Sequence, residues 1–122
     1  MSKRILVVED QEDSRRILRD LLSSADYEMT EAVNGEQALA AVAKQRPDLI
    51  LRDIQMPVLD GYEATRRIKA DPALKDVPII VVTSYASSGG DEAKARAAGC
   101  DDFVPKPFSP RQLLARIRKL LP

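Results

Sequence analysis

Four short segments of this chain each lead into a residue that could do chemistry. Ile5-Leu6-Val7-Val8 is followed by Glu9 and Asp10, Leu49-Ile50-Leu51 leads to Asp53, Ile79-Ile80-Val81-Val82 ends in Thr83 and Ser84, and Asp102 to Pro105 leads to Lys106. Three carboxylates brought to one place repel, and like charges that close either raise a pKa or recruit a cation. A hard divalent ion with oxygen ligands, Mg²⁺ above all, suits them, because it keeps several waters and can still bind a phosphoryl group. With such an ion an aspartate becomes a nucleophile toward phosphorus and forms an acyl phosphate. Asp53, on a central strand, is the best placed. Phosphoryl transfer needs mainly positioning and neutralisation of the equatorial oxygens, and the cation, the Lys106 ammonium and the Thr83 hydroxyl could each take one. Taken singly, every one of these residues has a plainer explanation: Glu9 and Asp10 as turn acids, Asp53 as a strand-end acid, Thr83 as a cap, Lys106 as a solvated lysine. Their convergence is what carries the chemistry.

Convergence requires a particular scaffold. The runs at Ile5–Val8, Leu49–Leu51 and Ile79–Val82 are continuous and rich in β-branched residues, which suits strands buried on both faces of a parallel sheet. Between them the period changes. Ile17, Leu18, Leu21 and Leu22 are expected on one helical face, as are Ala38, Leu39 and Val42, and later Leu113, Leu114, Ile117, Leu120 and Leu121. Weaker signals place strands at Glu28 to Val33 and Asp102 to Pro105, and helices at Tyr62 to Ala70 and Asp91 to Ala98. Asn34-Gly35, Asp60-Gly61 and Ala98-Gly99 read as turns or caps, and Pro47, Pro72 and Pro78 fall between elements. Five βα units in alternation make a doubly wound α/β sandwich, in which ligands bind beyond the carboxyl ends of the strands where strand order reverses.

Composition removes competing classes. At 122 residues the chain is expected to be one domain, with no linker, repeat or output domain. Its 19 basic and 19 acidic residues cancel, so it lacks the positive field that nucleic-acid binding needs. With no histidine it has no imidazole base, no catalytic triad and few routes to a zinc site. Cys100 is the only cysteine, which suits a buried filler in a reducing compartment. The N-terminal apolar run is too short for a membrane span or signal core, so a soluble cytoplasmic protein is expected.

The segments Ile5-Leu6-Val7-Val8-Glu9-Asp10, Asp53-Ile54-Gln55-Met56-Pro57-Val58-Leu59-Asp60-Gly61, Val81-Val82-Thr83-Ser84 and Phe103-Val104-Pro105-Lys106-Pro107-Phe108 closely resemble the receiver domains of two-component response regulators. They stand in the family's order and spacing, and the resemblance covers essentially the whole chain. It implies a flavodoxin-like (βα)5 fold with a parallel sheet in the order 2-1-3-4-5. It further implies that Asp53 is the phosphoacceptor, that Mg²⁺ is held by Asp10, Asp53 and the backbone carbonyl of Gln55, with Glu9 acting through a water, and that Lys106 pairs with the phosphoryl group. Lys106-Pro107 would be a cis peptide. Gly61 would give room after the active-site loop. Thr83 and Phe103 match the family's switch pair, although Phe103 also reads as a plain core aromatic. Ser84 matches a position that is usually small, and Gln55 and Tyr85 match positions that tune dephosphorylation. Arg52 departs from the pattern, where an apolar or small residue is common, and is expected either to snorkel out along the sheet edge, the favoured reading, or to put a positive charge near the site.

The function so implied is a chemotaxis-regulator-like single-domain response regulator, without turnover of an outside substrate. It takes a phosphoryl group from a sensor histidine kinase or a histidine phosphotransfer protein and signals to a downstream protein target; nucleic acid and membrane are not expected as partners. A phosphate shuttle or sink in a phosphorelay is the alternative. A flavin-binding domain or hydrolase sharing only the fold is disfavoured by the lack of a glycine-rich loop after the first strand. Asp101, Asp102, Arg116 and Arg118 fall where similar receivers form charged homodimer contacts, against the plainer reading of a solvated face.

Overall fold

The computed structural model describes residues 3–53, 61–83, 96–97, 99–105 and 109–121, with backbone only for Asp53, residues 61–64, Thr83 and Pro105. In chain order the described elements are β1 (Arg4–Val8), α1 (Glu12–Ser24), β2 (Glu28–Ala32), α2 (Gly35–Lys44), β3 (Leu49–Asp53), α3 (Gly61–Ala70), β4 (Ile79–Thr83), β5 (Asp102–Pro105) and α4 (Pro110–Leu120). The helix expected over Asp91 to Ala98 lies mostly outside the described residues, and Arg96 and Ala97 within it are helical.

Local chemistry sets the helix starts. The Asn34 side chain accepts a hydrogen bond from the Gln37 N–H at 2.8 Å and so caps α2. Ser109 and Gln112 cap α4 reciprocally, with Pro110 in the first turn, where its missing N–H costs nothing. Glu12 and Asp13 put negative charge on the first turn of α1.

All four strand pairings are parallel and the sheet order is β2-β1-β3-β4-β5. The order reverses between β1 and β3, where a crevice opens beyond the strand ends. Side chains alternate across the sheet and make two cores. Leu6, Val8, Ile50, Ile79, Val81 and Phe103 pack with Ala38, Val42 and Ile68 of α2 and α3. Ile5, Val7, Leu49, Leu51, Ile80, Val82 and Val104 pack with Leu22, Leu113 and Ile117 of α1 and α4.

Two expectations need correcting. Ile17 does not share the buried stripe of α1 but stands 62% exposed, while Leu22 is fully buried. At 3.6 residues per turn the two side chains are roughly 140° apart around the helix, too far to point at one sheet. Arg52 does not snorkel: it is only 1% exposed. β3 has a strand on each side and helices over both faces, so a side chain rooted there has no short path to water.

Candidate functional site

Strand register builds the site. Val8, the last residue of β1, pairs with Arg52 of β3, which sets Glu9, just past the end of β1, at the same height as Asp53, the last residue of β3. Asp53 pairs with Val82 on its other side, so Thr83 lies one step farther along β4. Thr83 in turn pairs with Pro105, the residue before Lys106. Neighbouring strands are about 4.8 Å apart. Asp53 therefore stands one strand from Glu9 and one strand from Thr83, at the carboxyl edge beside the switch point.

The acidic loop after β1 is tied by its backbone. The Glu9 N–H donates to the Ala32 carbonyl at 2.9 Å, which extends the β1–β2 ladder by one bond. Its carbonyl accepts from Arg15 Nη1 at 2.9 Å. Glu9 is buried and Asp10 is exposed. That difference separates their capacities: Asp10 can meet a cation arriving from solvent, and Glu9 can act on it from within.

Phe103 is buried in the α2/α3 core and pairs with Val81, two residues before Thr83. Its N–H donates to Asp102 Oδ1 at 2.8 Å, and the same oxygen accepts from Arg116 Nη1 at 2.6 Å. Asp101 accepts from Lys69 Nζ at 2.9 Å and from the Ile79 N–H at 2.8 Å. Three of the four charges considered for a homodimer face, Asp101, Asp102 and Arg116, thus have partners inside this chain, and Asp102 is buried. Asp101, Arg116 and Arg118 are exposed, as a solvated face requires, and Asp102 alone departs from that reading.

Gln55, Ser84, Tyr85, Lys106 and the Lys106-Pro107 bond lie outside the described residues, as do the side chains of Asp53 and Thr83, while Gly61 opens α3. Among the described residues there is no group of three or more His, Cys, Asp or Glu able to hold a metal. The described donors are the Glu9 and Asp10 carboxylates. With Asp53 at the same height the set is made of oxygen only, which fits Mg²⁺ and disfavours softer metals. Sequence reasoning missed Arg15, whose one signal is its place a single turn into the helix that follows the acidic pair. A groove of about 350 Å³ between α2 and α3, lined by Leu39, Val42, Arg46, Arg67, Asp71 and Leu74 among others, opens away from this edge.

A parallel α/β sheet with an acidic pair and a strand-end aspartate at its switch point defines a class of phosphate-handling domain. The chain belongs to the response regulator receiver domain family, whose model matches residues 5–118. It is 39% identical over 121 residues to the polar-differentiation response regulator DivK of Brucella anthropi, covering 99% of this chain and 98% of that protein. Among solved structures it is similar to the receiver domain of sensor histidine kinase PA1611 from Pseudomonas aeruginosa PAO1, which has a magnesium ion coordinated in its active-site cleft. The TM-score is 0.92 at 36% identity, over 99% of this chain and 98% of that one. It is also similar to the chemotaxis protein CheY4 of Vibrio cholerae, with a TM-score of 0.91 at 30% identity over 98% of this chain and 99% of the other. The chain is therefore a receiver module of two-component signalling. No helix among the described residues is long and apolar enough to cross a membrane.

Proposed function

We propose that Asp53 accepts a phosphoryl group from the phosphohistidine of a sensor histidine kinase or a histidine phosphotransfer protein, and that the phosphorylated domain signals by changing the protein surface it presents. The observation that carries this reading is the register, which sets Asp53 level with Glu9 on one side and a step below Thr83 on the other. An Asp53 carboxylate oxygen bonds to phosphorus as the phosphorus–nitrogen bond breaks, and the electron pair stays on the imidazole. Asp10, Asp53 and the Gln55 carbonyl would hold Mg²⁺, with Glu9 acting through a water, and the ion would neutralise charge on the transferring group. Lys106 and Thr83 would take the remaining phosphoryl oxygens. The chemistry serves the domain's own phosphorylation and dephosphorylation and turns over no outside substrate.

A donor protein has to approach the carboxyl edge. Ile17 is the exposed large apolar residue among those described, and it stands a turn and a half into the helix that starts beside Asp10. It offers a donor apolar surface to bury. Output would follow from Thr83 and Phe103: as the Thr83 hydroxyl engages the phosphoryl group, Phe103 and the surface of β5 and α4 adjust. The reading carries a cytoplasmic location, where a buried free thiol such as Cys100 stays reduced. It also makes residues 1–122 one receiver domain whose output is a protein contact of its own.

The test is Asp53→Asn, which keeps the shape and removes the nucleophile. Labelling by a phosphodonor should disappear in that variant, and in wild type with EDTA; undiminished labelling in either would overturn the site or the metal. Thr83→Ala and Phe103→Ala should still be phosphorylated yet lose most of the activation-dependent gain in partner binding. Binding with a beryllium fluoride adduct, unchanged in both, would exclude the coupling. A phosphorelay shuttle or sink is the second reading, favoured by the likeness to a receiver that belongs to a sensor histidine kinase. Return of label from Asp53 to a phosphotransfer histidine would select it.

A further inference from the structure

The guanidinium of Arg15 sits at a junction. Its Nη1 donates to the Glu9 carbonyl at 2.9 Å and its Nε to Glu31 Oε1 at 3.1 Å. Arg19 Nη2 reaches the same Glu31 oxygen at 2.7 Å. Glu31 belongs to β2, whose neighbour Ala32 accepts the Glu9 N–H. Glu9 is therefore gripped from both ends of its backbone, the N–H by β2 and the carbonyl by a side chain itself anchored to β2. The Glu9 carbonyl and the Asp10 N–H share one rigid peptide plane. Fixing that carbonyl fixes the direction in which the chain carries Asp10 toward the strand edge.

We propose that Arg15 is a positioning residue for the acidic loop, holding the Glu9–Asp10 peptide so that both carboxylates are set for a divalent cation. The proposal rests on the reading of this edge as a Mg²⁺-assisted phosphoacceptor site. Arg15 suits the task because its planar fork donates in two fixed directions at once, to the carbonyl and to Glu31; a lysine ammonium is a point charge and holds no such plane. Arg15 is mostly buried, 15% exposed at its side chain, so water does not replace these bonds cheaply.

The two effects Arg15 could have on a cation oppose each other. As a positive charge it repels Mg²⁺, so removing it would tighten binding if charge alone mattered. As an anchor it orders the ligands, so removing it loosens binding. The sign of the change therefore decides. Groups that orient metal ligands typically contribute 10-fold to 100-fold in affinity. Titration calorimetry with MgCl₂ should find that Arg15→Ala weakens binding by about tenfold, that Arg15→Lys, with the charge kept, weakens it too, and that Glu31→Ala does so by less. Amide hydrogen exchange at Asp10 and Gln11 in metal-free protein should quicken in the same order, while core amides of β3 stay slow. Equal or tighter Mg²⁺ binding in Arg15→Lys and Glu31→Ala would overturn the proposal, and these two variants decide it if Arg15→Ala fails to fold. Wild type that binds no Mg²⁺, or binds it equally well as Asp53→Asn, would instead overturn the phosphoacceptor reading.

Discussion

The two edges of the sheet treat charge in opposite ways. At the amino edge charged groups close on the backbone and on each other. Lys69 Nζ donates to the Lys75 and Val77 carbonyls at 3.1 and 2.9 Å and to Asp101 Oδ2 at 2.9 Å. Asp101 also takes the Ile79 N–H, and Asp48 takes the Arg4 N–H at 2.7 Å. All three ammonium donors of Lys69 are thereby used, and the starts of β4 and β5 are pinned to the end of α3. At the carboxyl edge Glu9 and Asp10 follow each other in one loop with Asp53 a strand away, so like charges gather where a cation can bind. Charge at the first edge stabilises the fold, whereas at the second, under the function proposed above, it opposes the fold and would serve cation binding.

That contrast can be broken by exchange of effects. Asp10→Asn removes one of the gathered charges, and Mg²⁺ affinity should fall by at least about tenfold while the thermal midpoint holds or rises. Calorimetric titration and a melting curve on one preparation test both halves, and a lowered midpoint would mean that Asp10 stabilises the fold after all. Lys69→Met should do the reverse. Two carbonyls and a carboxylate lose a charged donor, at a cost of about 2–3 kcal/mol, read from urea denaturation, with the rate of phosphorylation by a small-molecule donor unchanged.

Smaller effects sharpen the same comparison. Gly99 has φ of +110°, and a Cβ there would lie 2.9 Å from Lys69 Cγ. Gly99→Ala should cost about 1–3 kcal/mol, for both the backbone strain and the push on the lysine. In a Lys69→Ala background the collision vanishes, so the two losses should be less than additive. An additive result would show that the strain is all in the backbone. Ser109→Ala removes the cap of α4 and should cost about 1 kcal/mol, with no change in Mg²⁺ affinity, since the cap tethers a helix start rather than the acidic loop.

The strands and their faces were legible because burial on both sides demands continuous apolar runs, and Ile5–Val8, Leu49–Leu51 and Ile79–Val82 have them. The expected sheet order also stands. β2 was marked only weakly, because Glu28, Met29, Thr30 and Glu31 lie on an edge strand where one side faces solvent, and it stops at Ala32, one residue short of the expected end. Ile17 was misplaced because an apolar residue beside a helical stripe scores with it until the angle to the sheet is known.

What the sequence determined by itself was the chemistry on offer: carboxylates, a hydroxyl and an amine at the ends of buried runs, with no imidazole to compete. Residue type is local, and so is the period that marks a strand, so both survive without coordinates. Tertiary structure alone decided which of those groups stand level and what holds them. The pairing of Val8 with Arg52 joins residues 44 positions apart, the burial of Arg52 follows from two neighbouring strands and two covering layers, and the grip of Arg15 on Glu9 depends on how α1 leaves the strand. The first two are relations between distant segments brought together by packing, which no window of sequence contains; the third spans only six residues, but its direction is fixed by the anchor of Arg15 on Glu31 of β2, sixteen residues away.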